Sequence, residues 1–243
     1  MGKYFYKPED RHDKYVTITG NTAHHILHVM RLRIGQETIL CDGDSTDYIA
    51  TVMATNEKPP SIIFQLHSGS SSSAEPEYPI TLFQGLPKSD KMDSIIEKCI
   101  EVGVTSIIPV CTKRSIVRVK DAAKKLERYS KIAEAAASQS MRGVIPVIQS
   151  PIDFTKALQL CKTGITLVAY ENEREKTIKS ALVKHPPQLI SLWVGPEGGF
   201  DLSEIVALKG TGAIQVSLGP RILRTETAGI VAIAQIMNTW DEI

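Results

Sequence analysis

The chain has 243 residues, of which 42% are hydrophobic and 23% charged, with 28 lysines and arginines against 27 aspartates and glutamates. This composition excludes a fibrous or largely disordered protein and predicts a globular one with one or two domains. No apolar run approaches the roughly 18 residues that cross a bilayer, and the start MGKYFYKPED lacks the apolar core of a signal peptide. We therefore expect a cytoplasmic protein.

Short apolar or alternating segments between turn clusters characterise the first part of the chain. Strands are predicted at 15–18, 38–41, 48–53 and 61–66, and a helix at 22–33. This pattern predicts a small β-barrel that carries one helix. The serine- and proline-rich stretch SGSSSSAEPEYP follows and has no apolar periodicity, which is typical of a flexible linker. We place the domains at 1–70 and 80–243, with the linker at 71–79.

Strand and helix patterns alternate from residue 80 onward. Strands are predicted at 80–84, 106–110, 144–148, 165–170, 189–194 and 213–218. Helices are predicted at 91–102, 122–141, 154–160, 173–183, 202–208 and 226–240. This alternation predicts an α/β domain with a mostly parallel sheet covered by helices on both faces.

Two polar loops with glycines follow the last two predicted strands. They are GPEGGF at 195–200 and LGPRILRTET at 218–227. Ligands of open α/β sheets bind beyond the carboxyl ends of the strands, so we expect a pocket here. A tight strand-to-helix turn explains either loop alone, but the charge density of the pair favours a functional site. The P-loop motif is absent, as is GxGxxG after the first strand, which argues against nucleotide and dinucleotide binding.

Basic residues are concentrated between 113 and 142, where nine lysines and arginines accompany three acidic residues. On the predicted helix, Lys124, Arg128, Lys131 and Arg142 lie near one line, and the apolar residues point mainly the other way. A solvated helix face explains most such stripes. Beside a ligand pocket, the stripe also suits an anionic substrate such as RNA.

The cysteines and histidines do not predict a metal site. The four cysteines, at 41, 99, 111 and 161, match no metal-binding or disulfide spacing, so we expect reduced, mostly buried thiols. His24 and His28 have the i, i+4 spacing of zinc ligands, but no further ligand cluster accompanies them. Capping, packing or RNA contact is the expected role of these histidines.

Several segments together resemble the RsmE family of 16S ribosomal RNA uridine-N3 methyltransferases in order and spacing. They are HHILHVMRLRIG, FQGLPKSDKMDSIIEKCIEVGV, PVCTKRSIV, EAAASQSMR, WVGPEGGF and LGPRILRTETA. The resemblance implies an N-terminal PUA-like barrel, a SPOUT α/β domain with a deep trefoil knot, and a homodimer. It also implies S-adenosylmethionine as cofactor and 16S ribosomal RNA, in the 30S subunit, as substrate. Gly2 and Ser138 differ from the residues that the family usually has at these positions, and both differences concern RNA docking.

The resemblance also implies roles for individual residues. The cofactor is expected to be held by residues that follow three strands, namely Tyr170, Glu171, Gly195, Pro196, Glu197, Gly198, Gly199, Leu218, Gly219, Ile222, Leu223 and Arg224. Uracil N3 carries a proton at neutral pH, so Glu197 or Glu226 is the candidate base, and Arg224 or Arg142 is the candidate cation beside the uracil. The expected RNA contacts are Lys3, Arg31, Arg33, Lys88, Arg114, Lys124, Arg128, Lys131, Arg142 and Arg221.

Two alternatives stay open at this point. A SPOUT methyltransferase with these loops can act on another ribosomal or transfer RNA base, or on a ribose 2′-hydroxyl, because the loops say little about the acceptor atom. The other alternative is a catalytically silent RNA-binding protein of ribosome assembly. The charged residues of the two loops argue against it.

Overall fold

The computed structural model describes residues 2–88, 90–116, 121–161 and 164–242, and the chain divides into two units. The first unit contains Met1–Glu75 and Ala137–Ile145, and the second contains Pro76–Ala136 and Pro146–Ile243. The first unit thus takes in residues 137–145, which the sequence pattern places in the second domain. Across the described ranges, no helix has the length and apolar character needed to span a membrane.

Alternating apolar and polar residues build a six-stranded sheet in the described part of the first unit. Its strands are β1 (Lys3–Phe5), β2 (Arg11–His12), β3 (Tyr15–Thr19), β4 (Glu37–Cys41), β5 (Thr46–Glu57) and β6 (Pro60–Ser71), in the order β1-β4-β5-β6-β3-β2. The inward-facing side chains, among them Val16, Leu40 and Phe64, are fully buried. The four predicted strands are confirmed. Closure of this sheet into a barrel stays a prediction.

The helix of the first unit is shorter than predicted. Helix α1 (Gly20–His28) buries Ile26 against the sheet and ends at His28, whereas the apolar pattern predicts a helix to residue 33. The reason is local, since Arg31 has a left-handed φ of 56°, which no α-helix contains. Arg31 and Arg33 therefore lie in an exposed loop and not on a helix face.

Hydrogen bonds join the first half of the predicted linker to the rest of the first unit. Ser72 donates its backbone amide to Ser45 O at 2.8 Å, and the Glu75 carboxylate accepts from Gly143 N at 2.7 Å. Arg142 also donates to Glu75, from Nε at 2.9 Å and from Nη2 at 2.7 Å. The serine- and proline-rich composition predicts a flexible segment. It could not show that these residues hydrogen-bond to groups far away in the sequence.

A parallel sheet forms the centre of the second unit. Its strands are β7 (Ile80–Gly85), β8 (Ser106–Cys111), β9 (Val147–Ile148), β10 (Ile152–Asp153), β11 (Ile165–Ala169), β12 (Ile190–Val194) and β13 (Ile214–Val216). Their order is β10-β8-β7-β12-β11-β13, with β9 also paired to β8, and every pairing is parallel. The predicted α/β architecture with a parallel sheet is confirmed.

Helices connect these strands close to the predicted positions, except that the helix predicted at 173–183 spans only 178–182. They are α2 (Lys91–Glu101), α3 (Ala122–Gln139), α4 (Phe154–Leu160), α5 (Ile178–Leu182), α6 (Leu202–Gly210) and α7 (Thr225–Thr239). Trp193 on β12 is fully buried, stacks on Phe83 with ring centroids 4.6 Å apart, and donates Nε1 to Cys161 Sγ at 3.2 Å. This packing fixes the central strands whose carboxyl ends carry the site described below.

The thiols are free and mostly buried, as the cysteine spacing predicts. Cys41, Cys99 and Cys161 are buried, Cys111 is half-buried, and burial raises the pKa of the Cys99 thiol to about 12. In the part of the chain that the structure describes, no three metal-ligating side chains come together. The rings of His24 and His28 instead pack against each other, with centroids 4.4 Å apart.

Candidate functional site

Three loops at the carboxyl ends of β11, β12 and β13 surround a cavity of about 470 Å³. Strand β11 lies between β12 and β13 in the sheet, so these three ends are neighbours. The volume falls within the range of small-molecule sites. The geometry therefore provides the pocket that the two glycine-bearing loops predict, with a third loop after β11 as a further wall.

The cavity brings together all the residues that the family resemblance assigns to the cofactor. Each of them lines its wall: Tyr170, Glu171, Gly195, Pro196, Glu197, Gly198, Gly199, Leu218, Gly219, Ile222, Leu223 and Arg224. Their contact with a cofactor stays a prediction. The sequence analysis missed Lys91, which comes from α2 and lines the same cavity.

Glycine is required where the first two loops approach each other. Gly199 has a φ of +65°, and a Cβ built on it would lie 2.9 Å from Glu171 Oε1. Both the backbone conformation and the space favour a residue without a side chain. Gly199 therefore lets the loop after β12 pack closely against the loop after β11.

A buried glutamine ties the second loop to the start of α7. Gln84, at the end of β7, is fully buried and donates Nε2 to Thr225 Oγ1 at 2.9 Å. Thr225 donates the same hydroxyl to Gly195 O at 2.6 Å. The signal for this role is one polar residue at the end of the apolar strand ITLFQ. It was missed because nothing in the sequence shows which distant groups the amide reaches.

One lysine contacts both candidate bases. Lys91 Nζ lies 3.0 Å from Glu197 Oε1 and 3.4 Å from Glu226 Oε2. Burial alone would raise the pKa of Glu197, but hydrogen bonds from its own amide, from Lys91 and from the Lys88 amide hold that pKa below its usual range. Glu226 Oε2 is buried and accepts no hydrogen bond from the described residues. Glu226, in the first turn of α7, is not among the residues that line the cavity, but it contacts Lys91, which is.

Comparison with known proteins decides the family. A model of the RNA methyltransferase domain matches residues 74–237, and a model of the RNA methyltransferase PUA domain matches residues 18–65. The ribosomal RNA small subunit methyltransferase E of Bacillus subtilis is 35% identical over 228 residues, which cover 90% of this chain and 88% of the relative. The chain belongs to the RsmE family of RNA methyltransferases. Its Synechocystis relative of the same name is 33% identical, covering 94% of this chain and 75% of the relative.

A solved structure of the RsmE family has the same architecture. The ribosomal RNA small subunit methyltransferase E from Neisseria gonorrhoeae, crystallised bound to S-adenosyl methionine, is 32% identical and superposes with a TM-score of 0.88. The match covers 99% of this chain and 98% of the other. The N-terminal unit therefore carries a PUA-like domain, and the second unit is a methyltransferase domain of the RsmE type.

The basic residues of this RsmE-family chain differ in how far their charge is available. Arg114 donates Nη1 to Gly198 O at 2.7 Å and so lies against the second cavity loop, while Arg221 lines the cavity itself. On α3, Lys124 is exposed, Arg128 pairs with Asp93, and Lys131 pairs with Glu127 at 2.6 Å. Lys88 contributes its backbone amide to Glu197. Arg118 and Lys120, which belong to the same basic stretch, lie outside the described residues.

Two predicted contacts of the RsmE-family site need correction. The Lys3 side chain is fully buried, with Nζ 2.6 Å from Asp47 Oδ1 and donating to Met141 O at 3.2 Å. Arg142 is 3% exposed and bonded to Glu75 within the first unit. Both charges are taken up by partners inside the unit, so neither side chain is presented to RNA. The sequence pattern records charge but not pairing, and this is why both residues were selected.

Proposed function

We propose that this chain transfers a methyl group from S-adenosylmethionine to N3 of a uridine in 16S ribosomal RNA, with the assembled 30S subunit as substrate. The observation that carries the proposal is the cavity at the ends of β11, β12 and β13, which gathers every residue expected to hold the cofactor. Membership of the RsmE family supports the substrate class. The cofactor bound to the Neisseria gonorrhoeae relative supports the choice of methyl donor.

The residues of the cavity fit S-adenosylmethionine. A side chain on Gly195 would crowd the backbone of Gly199 in the same loop, and one on Gly199 would crowd Glu171 in the loop after β11, so both glycines keep the cavity wall open. Ile222 is 70% exposed on the cavity wall and, with Leu218, offers apolar surface suited to an adenine ring. The Glu171 carboxylate supplies acceptors for hydroxyl or ammonium groups. When bound, the cofactor supplies an electrophilic methyl group on a positively charged sulfonium.

Within the proposed reaction, Glu226 takes the proton from uracil N3. The N–H bond breaks, an O–H bond forms on the carboxylate, and the electron pair left on the nitrogen forms the new bond to the methyl carbon, whose bond to the sulfonium sulfur breaks. Arg224, the N-cap of α7, stabilises the negative charge that develops on the uracil oxygens. Glu197 is the poorer base because its low pKa and its hydrogen bonds stabilise the ionised form.

Exposed cations in the two units are proposed to bind the RNA backbone. Arg31 and Arg33 lie in the exposed loop after α1, and Lys124 and Arg128 lie on the exposed face of α3. Phosphate contacts position an RNA without specifying its sequence, so the target uridine is proposed to be splayed out of its helix into the cavity. Ribosomal subunits assemble in the cytoplasm, which is where we place this activity.

We further propose that the C-terminal segment forms a trefoil knot and that the chain acts as a homodimer. Strand β13 pairs with β11 at the edge of the sheet, yet α7 contacts β7 and β12 at its centre, so residues 217–224 return across the strand ends. Such a return supports threading of the chain through a loop.

The proposed homodimer is supported by exposed apolar side chains. Leu202 and Val206 on α6 are each 68% exposed, which supports an apolar contact between copies.

A labelling experiment tests the proposed reaction. Purified protein and radiolabelled S-adenosylmethionine are incubated with 30S subunits, and separately with extracted 16S RNA, from a bacterium that lacks its own enzyme. The RNA is then digested and its nucleosides are chromatographed. We expect label in 3-methyluridine from the subunits. Label in another nucleoside identifies a different acceptor, and cofactor binding without any label contradicts the proposed substrate.

A further inference from the structure

The ammonium group of Lys91 sits between two carboxylates that have different surroundings. Glu197 Oε1 lies 3.0 Å from Lys91 Nζ and accepts a hydrogen bond from the Lys88 amide at 3.1 Å. Glu226 Oε2 is buried and lies 3.4 Å from the same ammonium, and this ion pair is its one polar contact among the described residues. Lys91 itself is 35% exposed and lines the cavity. Lys91 therefore pairs with both candidate bases and lies closer to Glu197 than to Glu226.

We propose that Lys91 is a positioning residue for methyl transfer. Its ammonium pairs with Glu197, which stabilises that carboxylate in its ionised form, and it fixes the Glu226 carboxylate beside the cavity as the proton acceptor. This inference rests on the proposed function. The ion pair holds Glu226 Oε2 beside Lys91, which lines the cavity. The proposal assigns the proton of uracil N3 to the other carboxylate oxygen, Oε1. When the O–H bond forms, Glu226 becomes neutral, while Lys91 keeps its proton and stays paired with Glu197.

Replacing Lys91 should change the pH dependence of the reaction and not only its rate. Loss of a neighbouring cation disfavours the ionised form of a carboxylate. None of the variants substitutes the other titratable side chains on the cavity wall, which are Tyr170, Glu171, Glu173, Arg174, Arg221 and Arg224. Asp90 and Asp93, with Arg128 paired to them, also stay unchanged. A difference between variants therefore reports on Lys91.

The test compares wild type, Lys91→Met and Lys91→Arg at saturating S-adenosylmethionine. We expect the ascending limb of the pH–rate profile to move to higher pH in Lys91→Met, and to return close to wild type in Lys91→Arg, which restores the cation. Lys98→Met is the matched control, because Lys98 lies on the same helix and also pairs with two carboxylates, Glu97 and Glu101. Its profile should equal that of wild type.

A second readout does not depend on activity. The side-chain carboxyl carbon of Glu197 is titrated by ¹³C nuclear magnetic resonance in wild type and Lys91→Met, and we expect a higher pKa in the variant because one of the hydrogen bonds that lower it is lost. An unchanged Glu197 titration overturns the inference. So does a fall in rate of equal size at every pH, which would indicate a structural role alone. Absence of methyl transfer by wild type overturns the proposed function, while the titration still tests Lys91.

Discussion

Substitution of Gly199 by alanine should have two effects, a loss of stability from backbone strain and a loss of affinity for the cofactor. Gly199 has a φ of +65°, and its new Cβ would lie 2.9 Å from Glu171 Oε1. The left-handed conformation costs a non-glycine residue roughly 1–2 kcal/mol. The carboxylate oxygen is the far end of a flexible side chain, so it moves away at little further cost in stability, but it leaves its position on the cavity wall.

The displaced carboxylate should weaken cofactor binding. A hydrogen bond to a charged group contributes about 1.5–3 kcal/mol, so loss of one such contact raises the dissociation constant of S-adenosylmethionine by about tenfold or more. Titration calorimetry measures this constant, and urea unfolding measures the stability of the same sample. The expected result for Gly199→Ala is a fall in stability of roughly 1–2 kcal/mol together with the loss of affinity.

Gly212→Ala is the matched control. Gly212 has a φ of +87°, and a Cβ there meets no atom within 4 Å. It lies between α6 and β13, and it is not among the residues that line the cavity. This variant should lose a similar amount of stability and bind S-adenosylmethionine as wild type does. Equal affinities in the two alanine variants would refute the assignment of Gly199 and Glu171 to the cofactor site.

Three further predictions concern the base, the RNA and the first unit. Glu226→Gln should lower kcat by about 10²–10⁴-fold with cofactor affinity unchanged, as general-base removal does, and Glu197→Gln should lower it less; rapid-quench turnover measurements compare them, and the reverse order would assign the base to Glu197. Lys124→Glu should weaken RNA binding in filter assays and reduce its salt dependence without affecting S-adenosylmethionine binding, whereas an unchanged salt slope would remove Lys124 from the interface. Glu75→Gln should destabilise the protein by about 3 kcal/mol at pH 7, because buried Arg142 loses its carboxylate.

The Glu75 prediction has a defined pH dependence. Burial alone would raise the pKa of this carboxyl, but Arg142 and the amides of Gly143 and Val144 outweigh that effect and lower it. A lowered pKa in the folded state stabilises the protein above the unfolded-state value, about 4.5, and this stabilisation is lost as the pH falls through the folded-state value. The difference in unfolding free energy between wild type and Glu75→Gln, measured by urea unfolding, should therefore begin to shrink as the pH falls below about 4.5, and it should disappear only below the lowered folded-state value. A difference that stays constant as the pH falls through this range would exclude the ion pair as the cause.

Local patterns were sufficient to predict most of the secondary structure. The apolar runs of β7, β11 and β12 and the periodicity of α2 depend on neighbours in sequence, and the structure places these elements close to the predicted residues. The glycine-bearing loops indicated the cavity for the same reason, since parallel strands bring their carboxyl ends together.

Contacts between distant residues could not be predicted in this way. Lys3 and Asp47 are separated by 44 positions, and Gln84 and Thr225 by 141, so nothing in either local sequence shows that the two groups meet. The same limit explains why Lys91 was missed and why Arg142 was selected. Their charges are visible in the sequence, but which carboxylate neutralises each charge depends on the folded chain.

The most direct test of the proposed activity is a primer-extension map of 16S RNA. The gene is expressed in a bacterium that lacks this methyltransferase, as wild type and as Glu226→Gln, and reverse transcription is performed on the extracted RNA. Methylation at N3 blocks the pairing edge of uracil, so it stops the polymerase. We predict one new stop at a uridine with wild type and its loss with Glu226→Gln. An equal stop with both proteins, or none with wild type, would contradict the account.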